Sequence, residues 1–218
     1  MKIVAISDTH NRHNKLTIPE CDLLIHAGDW SFRGKKSEVE NFAHWLNKQT
    51  QCKEIVVIPG NHELFFEKGL PDSLIWFTEN CPRAKLLIDS GCEIDGVKIW
   101  GSPVQPWFHD WAWNRSSFEI QKHWEKIPKC NIVITHGPVY GILDQARYAD
   151  GSIRTEHLGC PYLYKKIKEI KPDIHICGHI HGGHGEKHID GTSYYNVSIC
   201  DEQYYPSNPI TIIEYIDG

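Results

Sequence analysis

The sequence predicts an α/β fold with more strands than one doubly wound sheet can house. Two observations carry that expectation. Short apolar runs recur along the chain, each ending in a polar, glycine-bearing turn: KIVAIS into DTH, DLLIHA into GDW, EIVVIP into GNHE, NIVITH into GP, and DIHIC into GHIH. Polar or amphipathic stretches separate the first three, and buried strands alternating with helices imply a largely parallel sheet. Further strand-like segments then follow: AKLLID, CEIDG, VKIWGSP, GTSYYNVSI and PITIIEYID. Two sheets face to face, with helices outside, would house them all in one domain over 1–218.

The helices and loops are read in chain order. SEVENFAHWLNKQ (37–49) places Val39, Phe42, Ala43 and Leu46 at helical spacing, with Ser37 as the expected N-cap. The longest irregular stretch, GSPVQPWFHDWAWNRSS (101–117), carries three tryptophans and two prolines, and reads as a large ordered loop of the kind that carries function. HLGCPYLYKKIKEIK (157–171) is the second expected helix. EKHID-GTSYYNVSI reads as a hairpin turning at Asp190-Gly191.

Bulk properties exclude several classes. The chain has 218 residues and a formal charge of −5, with both signs well mixed. No basic stripe exists to hold a long nucleic acid, and no apolar run is long enough to span a membrane. MKIVAISDTH reads as a strand rather than a signal peptide. The eight cysteines show no C-x-x-C spacing. Free, buried thiols in the cytoplasm are therefore expected. Oligomeric state leaves no mark in the sequence.

Fourteen histidines are the unusual feature, because imidazole is the commonest metal ligand. Ligands in open α/β sheets sit beyond the carboxyl ends of the strands. Those ends carry Asp8 and His10, Asp29, Asn61 and His62, His136, and His179 and His181. A donor set of imidazole, carboxylate and amide oxygen without thiolate suits Mn²⁺, Fe²⁺/³⁺, Zn²⁺ or Ni²⁺. It is too large for one catalytic ion that must keep open positions, and about right for two ions sharing a carboxylate.

D-x-H, G-D, G-N-H-E, H-G and G-H-x-H stand in this order as SDTH (7–10), GD (28–29), GNHE (60–63), THG (135–137) and GHIH (178–181). In these blocks the chain resembles the calcineurin-like metallophosphoesterases. The resemblance implies a four-layer αββα sandwich of two mixed β-sheets flanked by helices. It implies that Asp8, His10 and His181 bind one divalent ion, that Asn61, His136 and His179 bind the second, and that Asp29 bridges, with manganese the favoured metal. A hydroxide between the ions would attack phosphorus. His62 would protonate the leaving oxygen, with Glu63 orienting it.

GSPVQPWFHDWAWNR and KPDIHICGHIHGGHG further resemble the small metallophosphodiesterase branch of that superfamily. This implies a small phosphate-ester substrate, nucleotide-like and cleaved as a diester. Trp107, with Phe108, Trp111 and Trp113, would stack a base. Asn114 and Arg115 are candidate phosphate or base contacts, and His13 is placed near the substrate. Arg33, in GDWSFRG, matches the spacing of a phosphate-clamping arginine in phosphoprotein phosphatases. It is the basis of the alternative, a phosphomonoesterase. A non-catalytic scaffold on the same fold is the alternative of another class. His26 and His175, inside strands, are expected to be structural, and His184 to lie at the rim.

Overall fold

The first strand sets the layer plan. In the computed structural model, which describes residues 1–148 and 150–216, β1 (Lys2–Ile6) turns Ile3 and Ala5 into one core and Val4 and Ile6 into another. Successive strand side chains point to opposite faces, so a strand apolar on both must be covered twice. β1 pairs in parallel with β2 (Cys21–His26), which continues in parallel to β3 (Cys52–Val57) and β4 (Ala84–Leu86).

The second sheet contains β5 (Ser90–Ile94), β6 (Val97–Ser102), β9 (Ile132–Thr135), β10 (Ile174–Cys177), β11 (Gly185–Ile189) and β12 (Thr192–Asn196). They lie in the order β11-β12-β10-β9-β6-β5. β7 (Gln105–Pro106) and β8 (Asn114–Arg115) pair by themselves inside the tryptophan loop. β13 (Thr211–Glu214) closes the first sheet antiparallel to β1. Both large sheets are thus mixed: a parallel centre with antiparallel partners at β13, β5 and β11.

Three apolar cores make four layers. Ile3, Leu23, Ile25 and Val56 of the first sheet meet Ile99, Ile132, Ile134 and Ile176 of the second. Outside the first sheet pack Phe42 and Leu46 of α1 (Lys36–Asn47), Phe66 of α2 (Leu64–Gly69) and Phe77 of α3 (Asp72–Asn80). Outside the second pack Trp124 of α4 (Ser117–Glu125) and Leu163 and Ile167 of α5 (Pro161–Ile170). The expected layers are therefore present.

Two helix starts differ from expectation. Ser37 lies inside α1, and the free N–H groups before it go to the Glu38 carboxylate, which accepts from Lys35 at 2.8 Å and Arg33 at 3.1 Å. An anion at that end also suits the helix dipole. The second expected helix begins at Pro161 rather than His157, since proline is tolerated where no N–H is needed. α2, α3 and α4 had no expected counterpart. The hairpin turns where expected, with φ of 51° at Asp190 and 88° at Gly191, as a two-residue turn of the I′ kind requires. All eight cysteines are free, and all but Cys92 are buried.

Candidate metal centre

Five strand ends converge on one spot, where the carboxyl edges of the two sheets meet: β1, β2 and β3 from the first, β9 and β10 from the second. The turns after β1 and β2 are stitched together by main-chain bonds, Asp8 N–H to Gly28 O at 2.9 Å and His10 N–H to Asp29 O at 3.0 Å. Asp8, His10, Asn11, Asp29 and His179 all take positive φ, between 39° and 66°. Such a backbone costs on the order of 1 kcal/mol per residue and persists only where its surroundings impose it. Gly60 and Gly178 let the chain come close. A Cβ on Gly60 would collide with the Asp29 carboxylate, and one on Gly178 with those of Asp8 and the Ser7 hydroxyl.

The donors fall into two outer groups and a third between them. Asp8, His10 and His181 form the first, Asp29, His136 and His179 the second, and His10, Asp29 and His62 the one that links them. His181 Nε2 lies 3.5 Å from Asp8 Oδ1. Asp29 Oδ2 lies 3.3 Å from His136 Nε2 and 3.9 Å from His10 Nε2, so it faces both groups. Asn61 Oδ1 is 2.9 Å from His136 Nε2.

Hydrogen bonding fixes which ring nitrogen points inward. Nδ1 of His10, His136 and His181 each lies against a main-chain carbonyl, Ser31 O at 3.1 Å, Ala27 O at 2.9 Å and Asp201 O at 2.8 Å. A carbonyl oxygen only accepts, so Nδ1 carries the hydrogen and the Nε2 lone pair of the neutral ring faces the cluster. His10 Nε2 and His181 Nε2 then confront each other at 3.2 Å, and His136 Nε2 confronts the Asp29 carboxylate. Lone pairs opposed in this way need a positive charge between them, a proton or a metal ion. The residues present therefore fit divalent metal.

The titration behaviour shows the same demand. Burial pushes the Asp8 and Asp29 carboxyls up, but the facing imidazoles outweigh it and hold both well below the usual range. Burial works against a charge on His136 and His181, yet Asp29 and Asp8 raise them to about 9. At His10 and His179 burial dominates, lowering them to about 4 and about 3. The positive charge therefore sits between carboxylate and imidazole, where a ligating cation would displace it.

The other expected site residues divide. His62 opens onto the cleft, with Nδ1 2.7 Å from Phe32 O, Nε2 3.8 Å from Asp29 Oδ2, and its ring stacked on Trp111 at 4.2 Å. Glu63 does not touch that ring. Its buried carboxylate accepts from the N–H groups of Asp29, Ser31 and Gly60 and from the Ser31 hydroxyl. It thus ties the turns that carry Asp29 and Asn61, while the Phe32 carbonyl orients His62. Burial first, then the Asp29 charge, raises Glu63 to about 7.

Trp107 lines the cleft and is 67% exposed, with Phe108 and Trp111 beside it. Trp113 belongs instead to the core under α1. Asn114 turns inward and pins the tryptophan loop, accepting from Gln105 Nε2 at 3.1 Å and donating to His109 O at 2.7 Å. Arg115 pairs with Glu67 at 2.8 Å. His13 is fully buried, packed on Phe42 and Trp45. Arg33 is exposed and does not line the cleft, and neither does His184. Lining residues missed in the sequence include Tyr204, Arg154 and Leu158. Tyr204 sits edge-on to His10 at 4.8 Å, at a φ of 62°. No motif marked it.

Fold and site together define a metal-binding hydrolase built as an αββα sandwich. The family model for calcineurin-like phosphoesterases matches residues 1–183, and the chain belongs to that family, whose members hydrolyse phosphoric esters. Metallophosphoesterase domain-containing protein 1 of human is 36% identical over 236 aligned residues, covering 98% of this chain and 70% of that protein, and the mouse protein matches equally. Among solved structures, the phosphopantetheinyl hydrolase of Mycobacterium tuberculosis shares the fold with a TM-score of 0.61 over 100% of this chain and 98% of that one, at 15% identity. A Thermus thermophilus protein does so with a TM-score of 0.57, at 15% identity, over 89% of this chain and 88% of that one.

Proposed function

We propose that the chain is a dinuclear phosphodiesterase acting on small, nucleotide-like diesters. The observation that carries this reading is the pair of donor groups linked through Asp29, each with imidazole lone pairs turned inward. Asp8, His10 and His181 would hold one ion, and Asn61, His136 and His179 the other. Two divalent ions bound there, manganese being the favoured pair, supply Lewis-acid neutralisation of phosphoryl charge and acidify the attacking water.

The chain's own residues do the rest. Main-chain carbonyls and the Glu63 carboxylate keep the ligands in place without reorganisation. His62, fixed at Nδ1 by Phe32 O, presents Nε2 to the cleft and, as the imidazolium protonated at both ring nitrogens, gives its Nε2 proton to the leaving oxygen and is left neutral. Trp107, Phe108 and Trp111 wall a cleft of about 480 Å³, which suits a flat ester group better than a bare phosphate. Arg33, the residue that favoured a monoesterase, lies outside this cleft. The buried, unpaired thiols fit a reducing cytoplasm.

Initial rates on bis(p-nitrophenyl) phosphate and p-nitrophenyl phosphate with Mn²⁺, alongside metal content per chain, test the reading. Higher kcat/KM on the diester and two ions per chain are expected. A strong preference for the monoester overturns the diesterase, and a single ion overturns the dinuclear centre.

A further inference from the structure

The cleft is rimmed on one side by a hairpin-like excursion between β9 and α5. Its base is a clasp: the buried Asp144 carboxylate accepts from Gly141 N–H at 2.9 Å, Gly159 N–H at 3.0 Å and His157 Nδ1 at 2.7 Å. Its flank is sewn to the metal-ligand turn. Arg147 Nε donates to Gly182 O at 3.2 Å, and Asn196 Nδ2 donates to both Leu143 O and Ile180 O. Arg147 and Ile153 bridge the excursion's two arms. Arg154 follows directly. Its N–H donates to Ala146 O at 2.9 Å, and its carbonyl accepts from Gln145 Nε2 at 2.8 Å.

The backbone of Arg154 is thus held on both sides, while its side chain is not engaged by any carboxylate among the described residues. The guanidinium lies 4.9 Å over the Tyr148 ring and enters none of the ion pairs among the described residues. It is the one lysine or arginine lining the cleft among the described residues. Glu202, the carboxylate on the same rim, has Oε1 taken by the Arg147 N–H at 2.7 Å. Arg147 itself is spent on Gly182 O and Gly151 O. An aromatic shelf under an unpaired guanidinium is a preorganised oxyanion receptor. The scissile phosphate has its own place at the imidazole cluster on the floor, so Arg154 is left for a different group of the substrate.

We propose that Arg154 receives a second oxyanion, so that the preferred substrates are phosphodiesters bearing a further phosphate or carboxylate. The assignment rests on the phosphodiesterase reading of the same cleft, and binding separates the two. Calorimetry compares thymidine 5′-monophosphate with thymidine 3′,5′-bisphosphate on the Mn²⁺-loaded protein. The bisphosphate should bind about 10-fold tighter, a ratio that falls toward one in Arg154→Ala and is partly kept in Arg154→Lys. A ratio near one in the wild type, or one unchanged in Arg154→Ala, overturns the proposal.

Turnover is then read on thymidine 5′-(p-nitrophenyl phosphate) and its 3′-phosphorylated and 3′-hemisuccinyl forms, which share one scissile bond. The wild type should prefer the charged esters through KM, and whichever of phosphate or carboxylate gives the larger gain identifies the oxyanion. If the Arg154-dependent binding ratio holds but none of the three diesters turns over, the diesterase reading fails and the receptor stands.

Discussion

His136, directly after β9, and His175, inside the neighbouring parallel strand β10, are both buried and are wired in opposite senses. His136 gives its Nδ1 hydrogen to a main-chain carbonyl and turns its Nε2 lone pair to the cluster. At His175 the Thr135 hydroxyl already donates to Gly137 O at 2.7 Å, so it accepts from His175 Nε2–H at 2.9 Å. His26 also has a hydroxyl rather than a carbonyl as its partner, its Nε2 lying 3.0 Å from Thr9 Oγ1. The titration follows the wiring. Burial opposes charge at both, but Asp29 raises His136 to about 9, while burial alone lowers His175 to about 3. Depth does not make a buried histidine a ligand; at His10, His136 and His181 a main-chain carbonyl at Nδ1 turns the Nε2 lone pair to the cluster.

The largest test of that contrast is substitution. His136→Ala removes an inward lone pair, so metal content should drop and kcat should fall on the order of 10³-fold. His175→Asn, measured beside it, should keep its metal and stay within about 3-fold in kcat, because nothing it touches faces the cleft. Metal loss in His175→Asn would break the distinction. Next comes His62, which shares the ligand wiring and lies within reach of Asp29. His62→Gln should lower kcat on the order of 10²-fold, as loss of a general acid does, with metal content intact. If an ion is lost with it, His62 is a ligand and the proton donor must be sought elsewhere.

Acid stability separates the two kinds of histidine next. His26 and His175 each fold with a pKa of about 3, burial being the main cause. Their folded pKa lies below the unfolded value near 6.5, so the stability they contribute is present above pH 6.5 and lost as pH falls toward 3. The loss is at most about 1.4 kcal/mol per pH unit for each. Melting temperature should therefore fall between pH 6.5 and 4 in the wild type and fall less steeply in His175→Asn. An unaltered slope would mean that His175 does not control acid unfolding.

The ligands were legible in the sequence because each lies within four residues of the carboxyl end of a strand, the edge where an open α/β sheet gathers its functional side chains. Asp8, Asp29 and His136 follow apolar runs, and glycine marks the close approaches at 60 and 178. The structural role of His26 and His175 could be read in the same way, since they interrupt strands rather than follow them. The rim was not legible. Asn114 and Arg33 have the right chemistry for phosphate, but an inward loop partner claims the first, and the second lies outside the cleft. Arg154 and Tyr204 reach the cleft through segments with no periodicity, positioned by contacts distant in sequence. α2 is too short for a helical period to show in its residues.

The smallest effect is expected at His13, which separates neighbourhood from participation. It is three residues from His10, and its place in the sequence puts it near substrate. The first turn instead folds it under α1, where Nε2 meets Asn41 Oδ1 at 3.2 Å and the ring packs on Phe42 and Trp45. Burial lowers its pKa and so opposes a charge on the ring. His13→Ala should cost about 1–3 kcal/mol in stability through lost packing. At temperatures where the variant is folded, kcat/KM should stay within about 2-fold of the wild type, because no His13 atom faces the cleft. A selective rise in KM without loss of stability would restore His13 to the substrate side. It would also show that the turn after β1 opens when substrate binds.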